Sequence, residues 1–412
     1  MKILLIGDTA DNNYTLKKFS KNDKIHLINF PRKEDGLKTL SNEGVEFFDS
    51  LLLSKQVKKI QSIKNDYDVC LVLGWAAARV AYLSGLNYIM YFVGNDIVTP
   101  PFVKNVTEEY LNEPVSRYNT LERKFYRKIF DAAIACIAVN SHYHRHLKKF
   151  RADAIRMDRI FVDNELFNNK ILPINLPKKK FTFLSPQRIG IEKGFDVISD
   201  ALKLTKTDFE VLQVEWFIER TKEEKEFNKK FLKNLPTQMK LISLIPRKEL
   251  GSYYKFADAI LGQFRYGSQG AIERDAAMCN VPVINYNDPA KTMIIDGEEV
   301  LPPFLPDSNK PIRIAEIIDE VVRSKDFREE LARKEFEYVM KLSLPEKVMA
   351  DWEKIFKKIH EEYPTINRKS SKLKLKIENI ICNTLERLVY TKKFQQKNIN
   401  AWGKKEYERL SK

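Results

Sequence analysis

Phe264-Arg265-Tyr266-Gly267-Ser268-Gln269-Gly270-Ala271-Ile272-Glu273-Arg274-Asp275-Ala276-Ala277-Met278-Cys279-Asn280-Val281-Pro282-Val283 is the stretch whose folding decides the architecture. A strand ends near Leu261, a loop with two glycines follows, and a helix begins near Gly270. The pattern stops that helix at Asn280, which tolerates a left-handed C-cap, with Pro282 just beyond. A helix opening from such a loop presents unpaired N–H groups and the positive end of its dipole, where a phosphate or diphosphate binds. Glu273 and Asp275, one turn in, are candidates to accept hydrogen bonds from sugar or ribose hydroxyls. An ordinary loop–helix junction of an α/β protein carries the same pattern, so both interpretations stand on this segment alone.

Upstream, Pro186-Gln187-Arg188-Ile189-Gly190-Ile191-Glu192-Lys193-Gly194-Phe195 repeats the arrangement of strand, basic loop and helix. Open α/β sheets bind ligands at their strand C-termini, so Arg188 and Lys193 are both placed to reach a diphosphate there. A solvated basic turn is the alternative. It suits Glu192 better than Arg188, which follows a buried strand directly.

Working outward, continuous apolar runs at residues 2–6, Val69–Leu73, Tyr88–Val93 and Ile134–Val139 read as buried parallel strands. Ala77, Val80, Ala81 and Ser84 at i, i+3, i+4, i+7 give a helix between them. After the proline- and lysine-rich segment 172–180 the alternation restarts, with strands at Phe181–Ser185, Phe209–Val214, Met239–Leu244, Ala259–Leu261 and Val281–Ile284. The expectation is an α/β protein with two doubly wound domains, residues 1–170 and 171–342. Ser343-Leu344-Pro345-Glu346 matches a capping box with proline in the first turn. It opens a helix whose Val348, Met349, Trp352, Phe356 and Ile359 share one face and which ends near Tyr363-Pro364. Residues 364–412 form a basic tail: 366–412 hold 13 Lys/Arg and 4 Glu, hence +9 of the net +15. Within it, Ile377, Ile380, Ile381, Thr384, Leu385 and Leu388 predict an amphipathic helix flanked by lysines.

Composition narrows the function classes. The 412 residues are 43% hydrophobic, which excludes a mainly disordered or fibrous chain. Four separated cysteines without a CxxC pair argue against a disulfide scaffold or structural zinc and fit a cytoplasmic protein. No run of about 18 apolar residues suggests a spanning helix. The positive balance favours an anionic partner; for the tail helix, lying on acidic lipid headgroups and packing on the body or a second subunit stand level, both ahead of nucleic acid, because aromatic residues are sparse there. His142 and His146 share a helix face without a third metal ligand in view.

The Arg188/Lys193-Gly194 element and the Gly267–Val283 element together resemble the C-terminal domain of GT-B glycosyltransferases of the retaining family 4. The segment Asp275-Ala276-Ala277-Met278-Cys279-Asn280-Val281-Pro282-Val283 is similar to that family's Glu-Ala-Met-Ala-Cys-Gly-x-Pro-Val. The resemblance covers about residues 1–362 and puts Gly267 where the family has the first Glu of its Glu–seven residues–Glu motif. Gly94-Asn95-Asp96 looks like its Gly-x-Asp loop, with Val93 in place of a His. The resemblance implies sugar transfer from a nucleotide diphosphate sugar, with retention and without a metal. Arg188, Lys193 and Asp96 would then be catalytic, and Gly194, Gly267, Ser268, Gln269, Gly270, Glu273 and Asp275 would surround the donor. Gly7, Asp8, Gly74, Gly94 and Asn95 would face a glycan or lipid-linked acceptor. The alternative is a non-catalytic GT-B-like protein that binds a glycan or a partner.

Overall fold

A computed structural model describes residues 1–32, 41–94, 96–97, 102, 120–217, 219, 222–389 and 408–410. The first body runs β1 (Lys2–Ile6), α1 (Asn12–Phe19), β2 (Lys24–Asn29), β3 (Glu46–Phe47), α2 (Leu53–Ile63), β4 (Val69–Leu73), α3 (Trp75–Leu83), β5 (Ile89–Phe92), α4 (Thr120–Asp131), β6 (Ala135–Ala138), α5 (Ser141–Lys148) and β7 (Ile155–Arg156). Its parallel sheet has the order β3-β2-β1-β4-β5-β6-β7, with Ile3 level with Ile25 on one side and Val69 on the other. Residues Ile3–Ile6 are fully buried, as strands covered by helices on both faces must be.

The second body runs β8 (Phe181–Ser185), α6 (Phe195–Leu204), β9 (Phe209–Val214), α7 (Lys222–Lys233), β10 (Met239–Ile242), α8 (Arg247–Phe256), β11 (Ala259–Leu261), α9 (Ala271–Met278), β12 (Val283–Ile284), β13 (Met293–Ile295), β14 (Glu298–Val300), α10 (Pro311–Arg323) and α11 (Lys325–Ser343). Its parallel sheet has the order β10-β9-β8-β11-β12. In both sheets the strand order reverses beside the first strand, between β1 and β4 and between β8 and β11. Crevices at such switch points are where open α/β sheets bind ligands. The loops after β1, β8 and β11 therefore carry the candidate site.

Helix α12 (Pro345–Glu362) crosses back to the first body, where Val348, Met349, Trp352, Phe356 and Ile359 join that body's core. Trp352 packs edge-on to Tyr91 of β5 with ring centres 4.9 Å apart. Burying a residue of that size contributes several kcal/mol, and truncating it to alanine typically costs about 3–5 kcal/mol. The capping box expected at Ser343 is corrected: Ser343 closes α11, Leu344 is the N-cap of α12, and no side chain caps that helix. Pro345 sits in its first turn, where its missing N–H costs nothing. The tail forms α13 (Lys372–Val389).

Candidate functional site

Between the strand C-termini of the two bodies lies a cavity of about 450 Å³. One wall is the loop after β1, with Asp8, Thr9 and Ala10, joined by Arg32 from beyond β2. The other comprises Pro186, Gln187, Arg188 and Lys193, the opening of α9 from Gly270 to Glu273, and an apolar floor including Val214, Trp216, Ile245 and Leu250. Both basic side chains therefore share one wall of the inter-body cleft with the helix opening.

Local backbone conformation explains how these loops meet. Gly194 has φ +78°, and a Cβ there would lie 2.9 Å from the carbonyl carbon of Phe264. Only glycine lets the Lys193 turn press against the loop after β11, where Phe264 N donates to Lys193 O at 3.0 Å. Lys193 Nζ donates to Gln263 Oε1 at 3.2 Å. Burial pulls the Lys193 ammonium below its usual range; Glu273 opposes this and Arg188 adds to it. The Arg188 guanidinium lies over the Trp216 ring at 5.4 Å, a stacking that holds it at the cavity edge.

Glu273 lines the cavity, but its carboxylate is already engaged. The side chain is fully buried and accepts from Gln187 Nε2 at 2.6 Å, Gln263 N at 3.1 Å and Gly270 N at 2.7 Å. It braces the loop and caps the helix it belongs to. Because Gly270 N is spent on Glu273, the anion-facing donors at the helix opening move to Ala271 and Ile272, which have no intrahelical acceptor. Gly267, Ser268 and Gln269 stand behind the cavity. Gly267 O accepts from Asp288 N at 3.0 Å, Ser268 O from Gln263 Nε2 at 2.6 Å, and the Gln269 amide donates to Asn287 Oδ1 at 2.9 Å.

Asp275 is likewise not a cavity residue. Its carboxylate, 2% exposed, accepts from Arg247 Nη1 at 3.0 Å, while Arg247 Nε lies 2.7 Å from Asp11 Oδ2 of the first body. This bridge joins the two bodies at the cavity wall, which Arg247 itself lines, with its guanidinium also 4.9 Å from the Phe167 ring centre. Burial opposes the Arg247 charge, but Asp275 and Asp11 hold it on. Burial pushes Asp275 up to about 6 despite Arg247 and Arg274.

On the first-body side, Gly7 has φ +79° and a Cβ there would lie 2.5 Å from the Leu73 carbonyl oxygen, so β1 can pass β4 only at a glycine. The Asp8 carboxylate accepts from Asn13 N at 2.9 Å and Tyr14 N at 3.1 Å. Burial, then Asp11, raise it to about 6. Gly74 is the N-cap of α3. Beyond β5, Asp96 Oδ1 accepts from Gly94 N at 3.1 Å, and burial raises its carboxyl to about 7. Asn95 lies outside the described residues. Of the residues anticipated from sequence, Asp8, Arg188, Lys193, Gly270 and Glu273 line this cavity; Asp96, Gly7, Gly74, Gly94, Gly194, Gly267, Ser268, Gln269 and Asp275 are not among its lining residues. His142 and His146 meet edge-on with ring centres 4.7 Å apart, and no group of three metal-ligating side chains forms among the described residues.

Sequence reasoning missed Arg32 and Arg247. Arg32 follows β2, a strand hidden by Lys24 and His26 within its apolar run. Arg247 follows Pro246 at the start of α8, and a basic residue at that position after a strand was the available signal.

Residues 168–337 match the family model described as glycosyl transferases group 1. No curated protein sequence matches the chain. Among solved structures, sucrose-phosphate synthase from Thermosynechococcus elongatus is similar at a TM-score of 0.64 and 13% identity, over 88% of this chain and all of that one. Anabaena HepE in complex with UDP and glucose is similar at 0.64 and 12%, over 87% and 100%. A glycosyltransferase from Rickettsia africae is similar at 0.59 and 16%, over 87% and 98%. At such identities the likeness establishes fold. The chain thus has the two-domain GT-B architecture of glycosyltransferases, with its glycosyl transferases group 1 match in the second domain.

Proposed function

We propose that the protein transfers a sugar from a nucleotide diphosphate sugar to a glycan or lipid-linked acceptor, with residues 171–342 holding the donor and residues 1–170 the acceptor. The observation that carries this is the convergence of Arg188, Lys193 and the opening of α9 on one inter-body cavity. Negative charge develops on the diphosphate as the glycosidic bond breaks. Arg188, Lys193 and the Ala271 and Ile272 amides are placed to stabilise it. A bound diphosphate restores the Lys193 charge that burial disfavours. The apolar floor with Trp216 suits a nucleobase. Asp8, titrating near 6 on the opposite wall, is suited to take the acceptor hydroxyl's proton. Asp96 remains a second acceptor-side carboxyl. Charge neutralisation falls on cationic side chains, so this chemistry calls for no resident cofactor or metal, and retention follows from family resemblance.

HepE, one of the similar folds, is a complex with UDP and glucose, which favours a uridine nucleotide as the first donor to try. Replacing Lys193 with alanine should lower donor turnover by about 100-fold or more, on the scale of losing one preorganised charge-stabilising donor. Turnover like that of the native protein would remove Lys193 from the mechanism. Gly267 in place of an acidic residue and the engagement of Asp275 by Arg247 favour a second reading, nucleotide or glycan binding without turnover. Nucleotide binding with no hydrolysis of any donor sugar would select it. We place the protein in the cytoplasm, free or at the inner membrane face, with residues 366–412 as the contact to anionic lipid. No helix among the described residues is long and apolar enough to cross a membrane.

A further inference from the structure

Helix α13 lies on the first body with its polarity inverted. Tyr82 Oη donates to Glu378 Oε1 at 3.1 Å and Asn379 Nδ2 to Leu83 O at 3.0 Å, so polar side chains face the protein. Leu373, Ile377, Ile380 and Ile381 face outward and are 48–67% exposed. Leu121 of α4 is 64% exposed and lines, with Phe125, Ile381 and Cys382, a groove of about 300 Å³ between the two helices. A contiguous apolar surface of this kind, facing solvent, marks an interaction site.

A second hollow of about 350 Å³ adjoins the groove, sharing Lys128 and Glu378 with it and lined by Arg368, Lys369, Ser370 and Lys374. Inside it, Arg368 Nε and Ser370 Oγ are buried without a hydrogen-bond partner among the described residues. Of its carboxylates, Asp131 accepts from Arg127 Nε at 3.0 Å, while Glu378 Oε1 accepts from Tyr82 Oη and lies 3.9 Å from Lys128 Nζ, and Glu378 Oε2 has no hydrogen-bond partner among the described residues. Four cationic side chains, Lys128, Arg368, Lys369 and Lys374, thus outnumber the two carboxylates of the hollow beside an apolar groove, and Arg368, held to Tyr82 O through Nη2, keeps Nε unmet. That pairing matches a phospholipid, whose anionic phosphate lies next to its acyl chains.

We propose that the α4–α13 face docks on a bilayer containing anionic phospholipid. Leu121, Ile377, Ile380 and Ile381 enter the interface, and Lys128, Arg368, Lys369 and Lys374 meet headgroup phosphates. This deepens the membrane part of the function proposed above and does not depend on its sugar-transfer part.

The test is co-sedimentation of the full chain with phosphatidylcholine vesicles made with and without phosphatidylglycerol. The comparison includes Ile377→Glu/Ile381→Glu and Lys369→Glu/Lys374→Glu, whose outward side chains leave the core intact. The native chain should prefer the anionic vesicles, and each double variant should bind them about tenfold or more weakly, since both apolar insertion and surface charge contribute. Millimolar inorganic phosphate should not displace the chain. Displacement by phosphate would make the hollow a free-phosphate site and overturn the proposal. A native dimer that Ile377→Glu/Ile381→Glu converts to monomer, without vesicle binding, would make the face a self-association surface. Native sedimentation that neither double variant weakens would overturn the assignment of the membrane contact to this face. No native sedimentation at all would remove the membrane contact altogether, whatever the nucleotide titration shows.

Discussion

Arg247→Met is the perturbation that most sharply probes how the two bodies are joined. It removes the cation between Asp11, 1% exposed, and Asp275, 2% exposed, and leaves two buried carboxylates facing each other without it. Breaking a buried ion pair from one side costs about 3–5 kcal/mol, because the remaining charge is neither solvated nor paired. The lost stacking on Phe167 adds about 1 kcal/mol, which the apolar volume of methionine partly offsets. The expected loss at pH 8 is therefore about 3–5 kcal/mol. Urea is the denaturant of choice, since guanidinium would screen the same charges. The pH dependence gives a second check. A carboxyl whose folded pKa lies above its unfolded value keeps its proton in the native state after the unfolded chain has lost it, so stability falls as pH rises between the two values. Native Asp275 already behaves this way between 3.8 and about 6. Without Arg247 both carboxyls rise further, so the variant's deficit should shrink markedly between pH 8 and pH 5. The triple change Asp11→Asn/Arg247→Met/Asp275→Asn should recover most of the loss. A loss under about 1 kcal/mol, or an equal deficit at both pH values, would refute the idea that this bridge holds the bodies together.

Two further outcomes follow from individual backbone and side-chain positions. Gly194→Ala should cost about 2–4 kcal/mol in urea unfolding, combining left-handed strain with the 2.9 Å approach to Phe264, whereas Gly74→Ala, with φ +91° and open space around it, should cost only about 1–2 kcal/mol. Equal effects would mean that the Lys193 turn does not press on the loop after β11. Asp96→Asn should flatten the decline in native stability as pH rises between 3.8 and about 7, a decline caused by burial of that carboxyl; an unchanged slope would show that Asp96 is solvated.

Much of the architecture could be read from the sequence because buried parallel strands announce themselves as short apolar runs. Val69–Leu73, Phe181–Ser185, Phe209–Val214 and Ala259–Leu261 form where such runs stand. The left-handed stop at Asn280 was also legible, and its φ is +56°. Strand β2 was not, since Lys24 and His26 interrupt the run, and two-residue strands such as β3 and β7 are set by their neighbours rather than by local pattern. At the site, the rare glycines and the basic residues beside them identified the loops. Which carboxylates face the cavity could not be read, because that depends on partners distant in sequence. Glu273 is claimed by Gln187 and Asp275 by Arg247, residues 86 and 28 positions away. The tail's helical periodicity was visible as well, but not that its polar side would turn to the body and its isoleucines to solvent.

Calorimetric titration of UDP, GDP and ADP into the native protein and into Arg188→Ala/Lys193→Ala tests most directly whether a diphosphate lodges in the inter-body cavity. At least one nucleotide should bind the native protein saturably. The double variant should bind it about 100-fold or more weakly, since each charge-assisted hydrogen bond to the diphosphate is worth roughly 1.5–3 kcal/mol. Undiminished affinity in the double variant, or no binding of any of the three to the native protein, would contradict it.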